Sequence, residues 1–361
     1  FGLISEALEL SRELMTLFMR KGNDKKRYHS YREKVEELSQ LYQNEVIAQK
    51  TFTELAYCYN NNINTDFLEP ELLKLDKLSQ TNRTYKFNLY RYMTSHLWKF
   101  MQGDKVGEIS VCNEAIQFFE SEYNNQPLPL ITKYHFYIQL GRNYLAMGDF
   151  SRAEGTIRKC VDLPAKGGFN WHQALLYLAA LGFHSGKPQI AYNAWYQAHK
   201  VARKFKSPIM LERWKIVRAY LSWYAKIGKL QMPEQFRLGR FLNSVEKSSQ
   251  DKSGLNISII IVQLLHLLKD GKKKAFMEKA DTLSGYIRDN LKQTSDLRNK
   301  CFLYMLEKID KADYKRERTI ALTRSWRQKL KTTEDEKAFH LLEAEIVPYD
   351  FIWQEVMKLL K

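Results

Sequence analysis

A glycine followed by a polar residue recurs along this chain at intervals close to forty residues. Successive examples are separated by 45, 38, 42 and 43 residues. This dipeptide is typical of the end of a helix, where glycine takes up the left-handed backbone that closes the last turn. Such even repetition predicts a series of helical hairpins. The five turns are MQGDK at Gly103, AMGDF at Gly148, HSGKP at Gly186, KIGKL at Gly228 and KDGKK at Gly271.

Weaker turn signals extend the series in both directions. Gly22 lies in RKGND and a cluster of three asparagines occupies positions 60–62, while KIDKADY forms a polar break around Asp310 and Asp313. A period near forty residues therefore runs through nearly the whole chain, which predicts one continuous array over residues 1–361.

Between the turns, apolar residues recur with the 3.6-residue period of a helix, and no alternating run bounded by turn residues is found. The most apolar stretch, LNISIIIVQLLHLL at 255–268, is too short and too polar to span a bilayer. We predict a buried helix there, with a strand over Ile259–Val262 as the alternative. The fold class is therefore all-α. The clearest helical faces hold Tyr137, Leu140, Tyr144 and Leu145 before one turn, and Phe150, Ala153, Ile157, Cys160 and Val161 after it.

Residues 137–164 contain small residues where two helices of a hairpin would meet. The pattern Tyr137-x2-Leu140-Gly141-x2-Tyr144 is followed by Ala153-x3-Ile157 and by Pro164, and the next unit repeats Leu178-Ala179 and Ala191-x3-Trp195. This pattern resembles the tetratricopeptide repeat (TPR), which has a usual length of about 34 residues. The match is best over 130–205.

The resemblance implies a right-handed superhelical solenoid of antiparallel hairpins with atypical terminal units. The acidic C-terminal stretch, residues 334–361, is the expected cap, with a helix broken or kinked at Pro348. The apolar residues of that helix are Phe339, Leu342, Ile346, Phe351 and Trp353.

The resemblance also implies that a peptide binds in the concave groove lined by the first helix of each hairpin. Some members of the family hold the C-terminal carboxylate of a peptide with a set of Lys, Asn and Arg residues. This sequence matches that set poorly, because only three of its groove positions are basic and no Asn matches. The candidate groove residues are His135, Gln139, Arg142, Gln173, Tyr177, Ala180, Lys215, Arg218 and Ser222.

Residue patterns that support catalysis are not found in the sequence. It has no Gly-rich phosphate loop, HExxH, GxSxG or GxGxxG, and its eight histidines are scattered. We therefore predict a protein without enzymatic activity, cofactor or metal. Trp195, Trp214, Trp223 and Tyr224 fall in helical register, which favours core packing over an aromatic groove. Four widely spaced cysteines indicate buried free thiols and a cytoplasmic location.

Charge is the strongest functional signal. The net charge is +16, and it is concentrated in two blocks. Residues 200–240 hold eleven Lys and Arg against two Asp and Glu, and residues 269–331 hold eighteen against nine. Such blocks attract an anionic partner such as an acidic peptide, nucleic acid or a membrane surface, although a solvated lysine-rich surface is an equally simple explanation.

These observations favour a scaffold that binds a protein or peptide segment, with an acidic segment as one form of that ligand. The alternative is nucleic-acid or ribonucleoprotein binding through blocks 200–240 and 269–331. A third hypothesis is an enzyme or an effector-sensing regulator with its active module before Phe1, since the sequence does not begin with Met. The sequence leaves the oligomeric state open.

Overall fold

A computed structural model describes residues 3–22, 24–61, 63–123, 129–201, 206–245, 254–291, 296–333, 342 and 344–361. Within these ranges every regular element is a helix and no strand occurs. The predicted all-α fold class is confirmed, including a helix over the apolar stretch near residue 260. The chain divides into two compact units, Phe1–Thr132 and Lys133–Lys361.

The first unit is built around one long helix. Helix α1 packs along α2, α2 packs against α4, and α4 packs against α5. Two small cores form on α2, one at Ala48 and one at Leu55 and Cys58, all almost fully buried. The helices are α1 (Ile4–Lys21), α2 (Lys25–Asn60), a 3-10 turn (Asp66–Leu68), α3 (Glu69–Ser79), α4 (Tyr85–Met101) and α5 (Lys105–Glu122).

The second unit stacks consecutive helices against one another. Helix α8 packs between α7 and α9, α10 packs against α8, α9 and α12, and α15 packs against α16. The helices are α6 (Leu130–Ala146), α7 (Phe150–Asp162), α8 (Phe169–His184), α9 (Pro188–Val201), α10 (Pro208–Lys226), α11 (Leu238–Ser244), α12 (Leu255–Lys269), α13 (Lys273–Ala280), α14 (Leu283–Asn290), α15 (Leu297–Lys311), α16 (Arg316–Thr332) and α17 (Tyr349–Leu359).

All five predicted glycine turns follow the end of a helix and have positive φ, from 66° to 78°. At Gly148 the backbone N–H donates to the carbonyl of Leu145 at 3.1 Å. The side chain of Asp149 then accepts from the backbone N–H of Arg152, which caps the start of α7. The Gly-Asp pair therefore ends one helix and begins the next, which explains why it recurs in the sequence.

Small residues sit where the helices of a hairpin approach each other. A Cβ placed on Gly141 would lie 2.6 Å from Cγ1 of Ile157, and one on Gly182 would lie 2.5 Å from the backbone nitrogen of Ala191. Ala153 and Ala191 are completely buried. The predicted close contact at Gly141 and Ala153 is confirmed.

Large aromatic residues form the core of the second unit. Trp195, Trp214, Trp223 and Tyr224 are each at most 6% exposed, so the prediction of core packing is confirmed. All four cysteines are buried and free, again as predicted. Among the described helices, none is both long and apolar enough to cross a membrane.

The C-terminal segment is fastened to the rest of this unit by a buried ion pair. The guanidinium of Arg298 on α15 donates to both carboxylate oxygens of Glu345, at 2.5 and 2.8 Å, and neither side chain is exposed. Pro348 is the N-cap of α17, so a helix begins after the proline. The predicted helix does not extend before it: residues 342 and 344–348 are not helical, and Leu342 and Ile346 lie outside any helix. The upstream part of the predicted cap, residues 334–341 with Phe339, lies outside the described residues. A single superhelical array across both units stays a prediction.

Candidate functional site

The third hairpin of the second unit does not close like its predecessors. After Gly148 and Gly186 the next helix begins two residues later, at Phe150 and Pro188. After Gly228 the chain runs without helix over 229–237, and α11 is only seven residues long. This departure leaves space beside α10.

A cleft of about 340 Å³ occupies that space. Helix α10 forms one wall, and the extended segment with α11 forms the other. Four of its eight lining residues are cationic and none is acidic. The lining residues are Lys215, Arg218, Gln235, Phe236, Arg237, Arg240, Phe241 and Ser244.

The two cations on α10 are oriented by main-chain carbonyls on the opposite wall. Nζ of Lys215 donates to the carbonyl of Ser244 at 2.5 Å, and Nη2 of Arg218 donates to the carbonyl of Gln235 at 3.1 Å. The Arg218 guanidinium also lies over the ring of Trp195, 5.8 Å from its centroid. These contacts fix the side chains without neutralising their charge.

Arg237 and Arg240 complete the positive lining from α11. Arg237 is the N-cap residue of α11, with extended backbone, and Arg240 lies in the first turn of that helix. Both are exposed, and neither forms an ion pair with any residue that the structure describes. Four like charges in one small cavity repel each other, and an anionic ligand would relieve that repulsion.

The aromatic part of the cleft rests on a buried histidine. The ring of Phe236 stacks on His266 of α12, with centroids 4.9 Å apart. Burial lowers the pKa of His266 to about 4, so the ring is neutral near pH 7. Nε2 lies 3.0 Å from the carbonyl of Ala219. A carbonyl oxygen can only accept, so Nε2 carries the proton and donates. Phe236 is therefore held against the core.

Two of the predicted groove residues, Lys215 and Arg218, lie in this cleft. Ser222, on the same helix, is 6% exposed and is not part of the lining.

The groove residues predicted on α6 and α8 lie elsewhere in the second unit. His135, Gln139 and Arg142 are half-buried on α6. On α8, Gln173 accepts a hydrogen bond from the hydroxyl of Tyr134 at 2.9 Å. Tyr177 packs on the core cluster around Cys160, and Ala180 is fully buried. These residues do not line the cleft.

Sequence reasoning missed the wall formed by Phe236, Arg237, Arg240 and Phe241. A signal was present: the stretch after Gly228 contains Pro233 at the position where Ala153 and Ala191 follow the turns at Gly148 and Gly186. The interval to the next glycine turn stays near forty, however, so the interruption is hidden in the period.

Comparison with known proteins gives one structural resemblance. A solved structure described as SeMet-phAimR shares 14% sequence identity with this chain, at a TM-score of 0.49, over 90% of this chain and 72% of that one. No protein-family model and no curated relative matches the sequence.

Proposed function

We propose that this chain is a TPR-like interaction protein without enzymatic activity, and that it binds a protein or peptide segment carrying carboxylates in the cleft between α10 and α11. The observation that carries the proposal is the lining of the cleft: four cations and two phenyl rings with no acidic residue. Arg side chains bind carboxylates in bidentate fashion, and aromatic walls accept apolar side chains of a ligand.

The cleft is also partly preorganised for a peptide. Lys215 and Arg218 are oriented by carbonyls before any ligand arrives, which reduces the entropy lost on binding. Arg237 and Arg240 are exposed and available to move onto a carboxylate. Binding of an acidic segment would exchange their mutual repulsion for attraction.

The first helices of the two preceding hairpins extend the proposed binding surface. His135, Gln139 and Arg142 on α6, with Gln173 and Tyr177 on α8, occupy corresponding positions by the spacing of the repeats. We propose them as secondary contacts for the flanking parts of the segment. The four free buried thiols support a cytoplasmic location for this interaction.

The test uses two hexapeptide libraries that differ at their two central positions. One library has Asp or Glu there, and the other has Asn or Gln. Peptides retained by the immobilised full chain are identified by mass spectrometry, and the best are titrated individually by calorimetry. We expect retention of acidic peptides, because hydrogen bonds between charged groups contribute about 1.5–3 kcal/mol each.

The cleft variant Arg237→Gln/Arg240→Gln should weaken binding of an acidic peptide at least about tenfold. The control variant Lys272→Gln/Lys274→Gln removes the same charge from exposed positions at the start of α13, outside the cleft. It should change the dissociation constant less than about twofold, since exposed distant charges are screened. Equal retention of both libraries, or equal loss in both variants, would contradict the proposal.

A further inference from the structure

Helix α16 carries a second concentration of positive charge, separate from the cleft. Six of its seventeen residues are Lys or Arg, and Glu317 is the one acidic residue of the helix. It lies in the basic block 269–331, whereas the cleft belongs to block 200–240. The two blocks therefore contribute to different sites, one on α10 and α11 and one on α16.

The cations of α16 are arranged along one side of the helix. Arg316, Ile320, Arg324, Arg327 and Lys331 follow one another at spacings of four, four, three and four residues, which keeps them on one face. We call these five residues the α16 stripe. With a rise of about 1.5 Å per residue, the stripe is about 22 Å long.

The stripe is exposed and its charges are not neutralised. All four of its cations are exposed. None of them forms an ion pair with a residue in the described part of the chain. Arg324, Arg327 and Lys331 line a cleft of about 290 Å³ together with Ile320, Thr323, Gln328 and Trp353. Thr323 and Trp353 are buried at its base, and the exposed Gln328 adds a neutral hydrogen-bonding group.

We infer that the α16 stripe binds the phosphate backbone of a nucleic acid. A strand of duplex DNA presents one phosphate per roughly 3.4 Å of axis, so about six phosphates lie within the length of the stripe. Three of its four cations are arginines, whose planar guanidinium matches the oxygens of a phosphate. The major groove also admits an α-helix.

An acidic protein fits the stripe less well than it fits the cleft between α10 and α11. The cleft offers the half-buried ring of Phe236 beside its cations. At the stripe, the aromatic residue lining the cleft, Trp353, is only 3% exposed, and the one apolar member of the stripe is Ile320. Linear positive charge with no aromatic ring among its members favours a regular polyanion, because the charges of such a polyanion repeat along a line. The stripe is thus a site for backbone contact, without sequence readout.

The test measures fluorescence anisotropy of a labelled 20-base-pair duplex DNA of mixed sequence, titrated with the full chain from 50 to 200 mM NaCl. The stripe variant is Arg324→Gln/Arg327→Gln/Lys331→Gln. The matched control, Lys215→Gln/Arg237→Gln/Arg240→Gln, removes the same three charges from the cleft. Circular dichroism and thermal unfolding check that both variants fold like the parent chain.

We expect the stripe variant to weaken DNA binding at least about tenfold and to reduce the slope of log K against log salt by about 2 to 3. The cleft variant should change the affinity less than about threefold. Equal weakening by both variants would overturn the inference, because it would reflect net charge alone. No binding at 50 mM NaCl would also overturn it.

A third arm replaces DNA with labelled poly-glutamate of similar charge. Poly-glutamate binding that the stripe variant abolishes, without an equal loss of DNA binding, would assign the stripe to an acidic protein and overturn the inference. None of these results depends on the peptide proposal, because that proposal is tested by a different ligand and by cleft variants. Loss of either interaction can therefore be recognised while the other persists.

Discussion

The hairpins α6–α7 and α8–α9 differ from the pair α10–α11, although the same glycine turn follows the first helix of each. In the first two pairs the second helix starts immediately, and glycine or alanine lets the backbones touch. In the third pair the chain is extended after the turn. The helix that follows is short and has arginines at its start. The regular pairs are closed and filled, and the irregular pair holds a charged cleft of about 340 Å³.

The difference teaches where a repeat fold has room for function. A closed hairpin uses its facing surfaces for close packing, so its side chains contribute mainly to stability. A hairpin that fails to close leaves part of its first helix accessible, and there the residues are free to serve a ligand. Natural proteins often give up some stability at such sites.

The largest expected effect is on stability, and it arises in a closed hairpin. Gly182→Val would force a side chain against the backbone of α9, since even a Cβ would lie 2.5 Å from the nitrogen of Ala191. We expect the free energy of unfolding to fall by more than about 3 kcal/mol, at the upper end of overpacking effects. Urea denaturation monitored by circular dichroism measures it.

A glycine in the same pair of repeats provides the control. Gly155 lies within α7 and is exposed, and a Cβ added there would meet no atom within 4 Å beyond its chain neighbours and the backbone of its own helix. Gly155→Ala should therefore raise stability by up to about 1 kcal/mol, through helix propensity. If Gly182→Val lowered the free energy of unfolding no more than Gly155→Ala does, the close contact between α8 and α9 would be contradicted.

The closed hairpins are also the part that sequence predicts well. Gly141, Ala153 and the turn at Gly148 are each required by local geometry, so the residues themselves indicate the structure. The cleft is harder to predict because Arg237 and Arg240 look like ordinary surface residues until the path of 229–237 is known. Lys215 and Arg218 were found from repeat spacing, but the wall opposite them depends on tertiary structure that no repeat pattern encodes.

The second prediction concerns the buried histidine beneath the open pair. His266 has a pKa of about 4 when folded and an ordinary value of 6.5, so the unfolded state binds its proton first as pH falls. The folded state is therefore favoured fully above pH 6.5, where His266 is neutral in both states. As pH falls from 6.5 to 4, the free energy of unfolding decreases by about 3 kcal/mol in total.

Comparison of the parent chain with His266→Gln isolates this contribution, because other titrating groups are common to both. The free energy of unfolding is measured by urea denaturation at several values between pH 4 and pH 7. The difference between the two proteins should shrink as pH falls. A difference independent of pH would mean that His266 is not held neutral under Phe236.

The third prediction tests the aromatic wall of the open pair. Phe236→Ala removes the stack on His266 and the contact with Phe241, whose ring centroid is 5.8 Å away. Since Phe236 is only half-buried, we expect a loss of about 2 kcal/mol in the free energy of unfolding. Binding of an acidic peptide with an apolar side chain should weaken as well.

Phe236→Leu separates these two effects. It should restore most of the stability because it fills much of the same volume, while the stacking geometry is lost. Thermal unfolding and calorimetric titration with the same peptide measure both. Unchanged peptide affinity in Phe236→Ala would remove the aromatic wall from the binding site and leave the cations alone.

The smallest expected effect has opposite signs in the two kinds of hairpin. In the closed pair, Arg152 contacts Asp149 at 2.5 Å, so Arg152→Gln should lower stability slightly. In the open pair, Arg237→Gln/Arg240→Gln should raise the free energy of unfolding by about 0.5 kcal/mol at most, because it removes repulsion within the cleft. The effect of the cleft variant should disappear in 1 M NaCl, where charges are screened beyond about 3 Å, and the effect of Arg152→Gln should become smaller. Thermal unfolding at low and high salt measures both effects.

Loss of stability in the cleft variant at low salt would contradict the prediction. It would show that these arginines stabilise the fold, and it would remove the electrostatic reason for a ligand there.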